Sequence, residues 1–189
     1  MKSFGAPDLK GYFVMKKAIC MILALTLALS LAACGEKAPQ TVNTALDGTP
    51  EQIIEKIYAA HTEKEMKLPL MTMEVDLQDT DSLSYNMGLD SGDRLSAAAI
   101  SEPMMGQAYS LVVARVKDAA DAAQMAKDLY ENVDTNKWIC VEADTKTAAY
   151  YGDVVMFFMV NSTFAESATT DSIGQAFNTV CNGGATFVG

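Results

Sequence analysis

Residues 150–160 read YYGDVVMFFMV. Tyr151 and Gly152 supply turn chemistry between two strand-like arms, so the spacing predicts a β-hairpin, with Trp138 to Ala149 as its first arm and Asp153 to Val160 as its second. The second arm is continuously apolar from Val154 to Val160. A continuously apolar strand of this kind is expected at the centre of the sheet.

Working outward, residues 109–116 form another apolar, valine-rich run that predicts a second interior strand. Asp118 then stands as an N-cap, and Ala122, Ala126, Leu129 and Val133 recur at helical spacing from Ala119 to about residues 132–136. Downstream, Ile173, Ala176, Phe177, Val180 and Cys181 mark a last helix that Asn182, Gly183 and Gly184 stop. Upstream, Leu95 to Ser101 reads as a strand ahead of Pro103, and Thr80 to Met87 as a short helix ended by Gly88. Leu70 to Leu77 reads as a half-exposed strand with Met71, Met73 and Val75 on one side and Thr72, Glu74 and Asp76 on the other. Thr49, Pro50 and Gln52 have the pattern of a capped helix start. That helix is expected to run to about Lys64, burying Ile53, Ile54, Ile57, Tyr58 and His61. The order of elements predicts one α+β domain over residues 49–189: an antiparallel-dominated sheet of about five strands, with about three helices packed on one face.

The N-terminal quarter has a different character. Ala18 to Ala33 is an uncharged run of 16 residues preceded by Met15, Lys16 and Lys17. It falls short of the roughly 20 residues a spanning helix needs and ends in small residues, as a cleaved signal peptide does. Residues 15–33 are therefore expected to be a signal peptide, and residues 1–14 an upstream extension, with Met15 as the natural start. Leu31, Ala32, Ala33 and Cys34 close the run and resemble the lipobox of bacterial lipoproteins. In that motif the cysteine sulfur receives a diacylglyceryl group and cleavage falls just before it. Residues 34–48 would then be the lipidated cysteine and a flexible tether with a reach of about 20 Å.

The chain carries a net charge of −10. The segment before Cys34 holds four lysines against Asp8, a net of +3, so the remainder stands at −13. So acidic a surface repels phosphate backbones and anionic headgroups, and neither nucleic acid nor a peripheral membrane face is expected as a partner. Attachment to the membrane is expected through the lipid, whose two acyl chains hold a bilayer stably.

The lipobox, the YNMGL string at residues 85–89, LVVARVKD leading into a helix, KWICVEAD and YYGDVVMFFMV together resemble the small Firmicutes lipoproteins that carry domain of unknown function 4358. The resemblance spans roughly Thr49 to Val160. It implies a lipoprotein of the cell envelope and supplies no catalytic residues.

Chemistry-bearing residues are sparse. His61 is the single histidine and lies on the buried side of the first expected helix, where a structural role competes with pairing to Cys140 as thiol and imidazole. Cys140 and Cys181 are the cysteines left once Cys20 and Cys34 are assigned. They could form one disulfide outside the cell or stand as two unpaired core residues. Asp76, Asp79 and Asp81, with Asp90 and Asp93 beyond, offer oxygen ligands for Ca²⁺, but their spacing fails the EF-hand pattern and a solvated acidic loop explains them as well. Met71, Met73, Met104 and Met105 could ligate Cu(I), although alternating strand methionines usually belong to a core. Trp138, Tyr150 and Tyr151 bracket the hairpin and are candidate ligand contacts or, equally, closures of the core edge. No cofactor is expected.

These readings point to a membrane-anchored, extracytoplasmic lipoprotein whose domain binds or organises an envelope component without catalysis. Two alternatives stand beside it: a hydrolase or thiol enzyme using Cys140 and His61 or an acidic pair such as Asp76 and Asp79, and a structural subunit of an envelope complex. The enzyme requires two such groups within hydrogen-bond reach in a cleft, and the subunit requires an exposed apolar patch.

Overall fold

The computed structural model describes residues 46–189. The expected upstream extension, the signal peptide, the lipobox with Cys34 and most of the tether lie outside the described residues. The elements run in the order α1 (Pro50–Ala60), β1 (Leu70–Glu74), α2 (Thr80–Met87), β2 (Leu95–Pro103), β3 (Tyr109–Val116), α3 (Ala122–Asn132), β4 (Thr145–Tyr151), β5 (Val154–Val160), α4 (Thr170–Val180) and β6 (Thr186–Val188). Among the described residues no helix is long and apolar enough to cross a membrane.

The fold is α+β. Six strands form one antiparallel sheet in the order β1-β2-β3-β5-β4-β6. The continuously apolar β5 lies inside it between β3 and β4, and all of its residues are buried. Val155, Phe157 and Met159 point to one face, where Leu83 and Met87 of α2 and Met125, Ala126 and Leu129 of α3 cover them. Val154, Met156, Phe158 and Val160 point to the other, under Ile53, Ile54 and Ile57 of α1 and Ile173, Ala176 and Phe177 of α4. The expectation of helices on one face is thus corrected. Two strands apolar on both sides need two covering layers, and the four helices divide equally between them.

Other departures are local. The first hairpin arm begins at Thr145, not at Trp138. Residues 138–144 instead make a tight turn, closed by an isolated bridge between Trp138 and Val141 with Cys140 at φ +66°, a value incompatible with a strand. The first helix stops at Ala60, where the His61 N–H closes on Ile57 and Tyr58 carbonyls. The third helix is preceded by a 3₁₀ turn, Ala119–Asp121, capped by Asp118. Met71 and Met73 share the face of Ile100, yet each is 44% exposed on the outermost strand of the sheet. The short β6 was not expected, since three residues are too few to show a period.

Caps that the sequence foretold are present. Thr49 and Gln52 form the reciprocal capping box of α1, with Pro50 as its first residue. Gly88 ends α2 at φ +62°, and a Cβ there would stand 2.5 Å from the carbonyl carbon and oxygen of Asn132, so glycine is required twice over.

Candidate functional site

The two ends of the sheet differ in chemistry. At the end where β3 finishes, the Arg115 guanidinium donates through Nη1 to Asp153 Oδ2 at 2.6 Å and through Nε and Nη2 to the Gly48 carbonyl at 3.1 and 2.8 Å. Nη2 also meets the Leu46 carbonyl, and Lys56 Nζ donates to the Asp47 carbonyl at 2.5 Å. The planar fork of an arginine suits such a cluster of oxygens, where a single ammonium would reach fewer. Residues 46–48, the last of the expected tether, are in this way fastened to the sheet and to the turn between β4 and β5.

The opposite end is built from three loops. Residues 104–108 join β2 to β3, residues 138–144 precede β4, and residues 161–164 follow β5. Asn161 ties them together: its N–H donates to the Ala108 carbonyl at 2.8 Å and its Nδ2 to the Glu142 carbonyl at 2.8 Å. The Asp144 carboxylate accepts from the Ser162 N–H at 2.7 Å and from its hydroxyl at 2.6 Å. Between these loops lies a cleft of about 360 Å³ with Gln107, Ala108, Cys140, Val141, Asn161 and Phe164 in its walls. Gln107 Oε1 is buried without a hydrogen-bond donor. Met104 and Met105 are about three-quarters exposed, at 72% and 73%, and Ile139 is 93% exposed. Ala108 and Arg115 are seven residues apart along one strand line, so the cleft and the arginine cluster are about 24 Å apart.

Beneath the same end is a buried ion pair. Lys137 Nζ is 2.5 Å from Glu102 Oε1 and 3.4 Å from Ser110 Oγ. The ammonium also sits 5.1 Å from the ring centroids of both Tyr85 and Trp138. Burial pulls the Lys137 ammonium below its ordinary pKa, and the Glu102 charge opposes the shift. A serine beside a lysine of lowered pKa is a known nucleophile arrangement, but the Lys137 side chain is 1% exposed and Ser110 is fully buried, so no substrate carbon can approach Ser110 in this conformation.

The residues singled out from sequence are dispersed. Trp138 is buried against Lys137, while Tyr150 and Tyr151 are half-buried near the β4–β5 turn, Tyr150 on the α3 face and Tyr151 on the α4 face. The three aromatics therefore do not form one surface. His61 is buried, and its Nε2 lies 2.9 Å from Ser172 Oγ rather than against Cys140. Ser172 is itself the capping-box residue of α4, so this contact joins the end of α1 to the start of α4. Cys140 and Cys181 are both free, the first exposed and the second buried, so neither the disulfide nor the picture of two core thiols is right. Burial pushes the Cys181 thiol up to about 12. Asp76 Oδ1 accepts from the Gln78 N–H, and Asp79 Oδ1 caps α2 through the N–H groups of Asp81 and Ser82. Among the described residues, no three side chains of the metal-binding types converge as an ion would need.

Sequence reasoning did not reach Arg115, Asp153, Glu102, Lys137 or Gln107. A charged residue at the end of an apolar run, as Arg115 and Glu102 are, is the one signal that could have drawn attention to them. No family model, no curated protein and no solved structure matches this chain.

Proposed function

We propose that the chain is a bacterial lipoprotein, anchored outside the cytoplasmic membrane by a diacylglyceryl group on Cys34, with a domain of the domain of unknown function 4358 type. The domain acts as a non-enzymatic module that binds or organises an envelope component. The observation that carries this reading is the polarity of the sheet. Arg115 and Asp153 hold residues 46–48 at one end, while the cleft and the exposed Met104, Met105 and Ile139 occupy the other. A tether that enters at the arginine end leaves the cleft end free to meet a ligand or a neighbouring protein.

The sequence around Leu31, Ala32, Ala33 and Cys34 supports the anchor. The cleft favours holding over turnover: Ala108, Val141 and Phe164 give apolar walls, and the histidine is engaged elsewhere.

Cys140 gives a direct test of location, since its thiol is exposed. A membrane-impermeant maleimide added to intact cells should label Cys140, and a Cys140→Ser variant should lose that label. Labelling that requires cell lysis would refute the extracytoplasmic placement.

A further inference from the structure

Among the described residues, the outer edge of β1 is an unpaired strand with a defined polarity. The Val75 N–H donates to the Ala98 carbonyl at 2.9 Å, and Leu70 stands opposite Pro103 in the same register. Bonded pairs alternate along an antiparallel ladder, so Met71, Met73 and Val75 turn their backbone groups toward β2. Leu70, Thr72 and Glu74 turn theirs outward. The Leu70 N–H is already closed on the Leu68 carbonyl, which leaves the N–H groups of Thr72 and Glu74 and the carbonyls of all three facing away from the sheet. Residues 70–74 contain no lysine, proline or bulge of the kind that blunts an edge, and residues 71–74 are all exposed.

The geometry points to a second copy of this chain as the occupant, joined through β1 in an antiparallel, two-fold pair centred on Thr72. The outward backbone groups admit Thr72 opposite Thr72 of the partner as a doubly bonded pair, and Leu70 opposite Glu74 of the partner as a singly bonded one in which the Glu74 N–H donates to the Leu70 carbonyl. Met71 then falls opposite Met73 of the partner in the closer, non-bonded position. Four half-exposed methionines, otherwise open to water on the face of Ile100, become one apolar strip. The register places no like charges opposite one another. It also sets Lys67, just before the strand and 3.7 Å from the exposed Glu166 of its own chain, beside the acidic end that carries Glu74 and Asp76 in the partner, so charge complementarity favours the same antiparallel sense. The two six-stranded sheets would become one of twelve. This inference is independent of the lipid anchor.

Disulfide trapping in the full chain tests it. In a Cys140→Ser background, Thr72→Cys should give an oxidised dimer whose linked peptides both contain position 72. The expected Cα separation there is about 5.5 Å, within disulfide reach. Glu74→Cys in the same background should give about tenfold less self-linked dimer, because its two copies would stand about 14 Å apart. Thr72→Pro removes an N–H that β2 does not use, so it should convert a dimer in sedimentation to a monomer while the circular dichroism spectrum is kept. Equal trapping at positions 72 and 74, or a monomeric wild-type chain, would overturn the proposal. The monomeric outcome would leave the edge to a strand from another protein.

Discussion

Lys137 Nζ meets Glu102 Oε1 at 2.5 Å under the rings of Tyr85 and Trp138, which puts a full ion pair inside the end of the domain that carries the cleft. The pair joins the loop after α3 to the end of β2. Burying charge is costly in itself, so its effect on stability depends on which partner is removed.

Lys137→Ala should therefore destabilise by about 3–5 kcal/mol, because it leaves Glu102 as an uncompensated buried charge. The double variant Lys137→Met with Glu102→Leu should recover most of that loss. Urea unfolding of the three proteins measures both, and a double variant as unstable as Lys137→Ala would reject this account of the pair.

Arg115→Ala should lower stability by about 1–3 kcal/mol through lost charge-assisted hydrogen bonds. It should also expose residues 46–48 to protease before the rest of the domain opens. Arg115→Lys should restore little, since a point charge cannot reach Asp153 and two carbonyls together. Limited proteolysis with mass mapping, alongside urea unfolding, decides between a fastened and a free entry.

Burial lowers the His61 pKa from its usual 6.5. A base whose folded pKa is depressed favours the neutral folded form, so its stabilising share is complete above pH 6.5. That share is lost as the pH falls from there through the folded value. Unfolding free energy should decline over that window, by at most about 1.4 kcal/mol per pH unit for one proton. His61→Gln, which keeps a partner for Ser172, should flatten the slope, and an unchanged slope would show that other groups carry it.

The buried hydroxyls behave in the opposite sense. Tyr109 donates to Tyr58 at 3.1 Å and Tyr58 to Ser101 at 2.8 Å, and burial pushes the Tyr58 phenol up to about 12 and Tyr109 above its ordinary value too. Their share of stability is present below pH 10 and is lost as pH rises through the folded values. Tyr58→Phe should cost about 1–3 kcal/mol at neutral pH by leaving Ser101 and Tyr109 unmatched. A neutral substitution in thermal unfolding would contradict the chain of hydrogen bonds.

How much of this was legible in the chain follows from where each signal resides. The apolar run of β5, the Thr49–Gln52 capping box and the Gly88 stop are local patterns, and each stands where the sequence placed it. The second helical layer was implied by β5 itself but was missed, because helix order alone does not say which face each helix covers. Trp138 to Asp144 looked like a strand arm by composition, yet the left-handed Cys140 and the tie from Asn161 to Glu142 turn it into a loop. Arg115 and Gly48 are 67 positions apart, and Lys137 and Ser110 are 27 apart. Contacts at such separations leave no periodic trace, which is why the arginine cluster, the buried pair and the cleft emerged only from the three-dimensional structure.

The central claim is the lipid on Cys34, and intact mass of the protein from the membrane fraction of a host that processes lipoproteins tests it most directly. A chain that begins at Cys34 with the added mass of a diacylglyceryl group, and that leaves the membrane in a Cys34→Ala variant, is the predicted result. A chain that is uncleaved, or cleaved without lipid, would contradict the account.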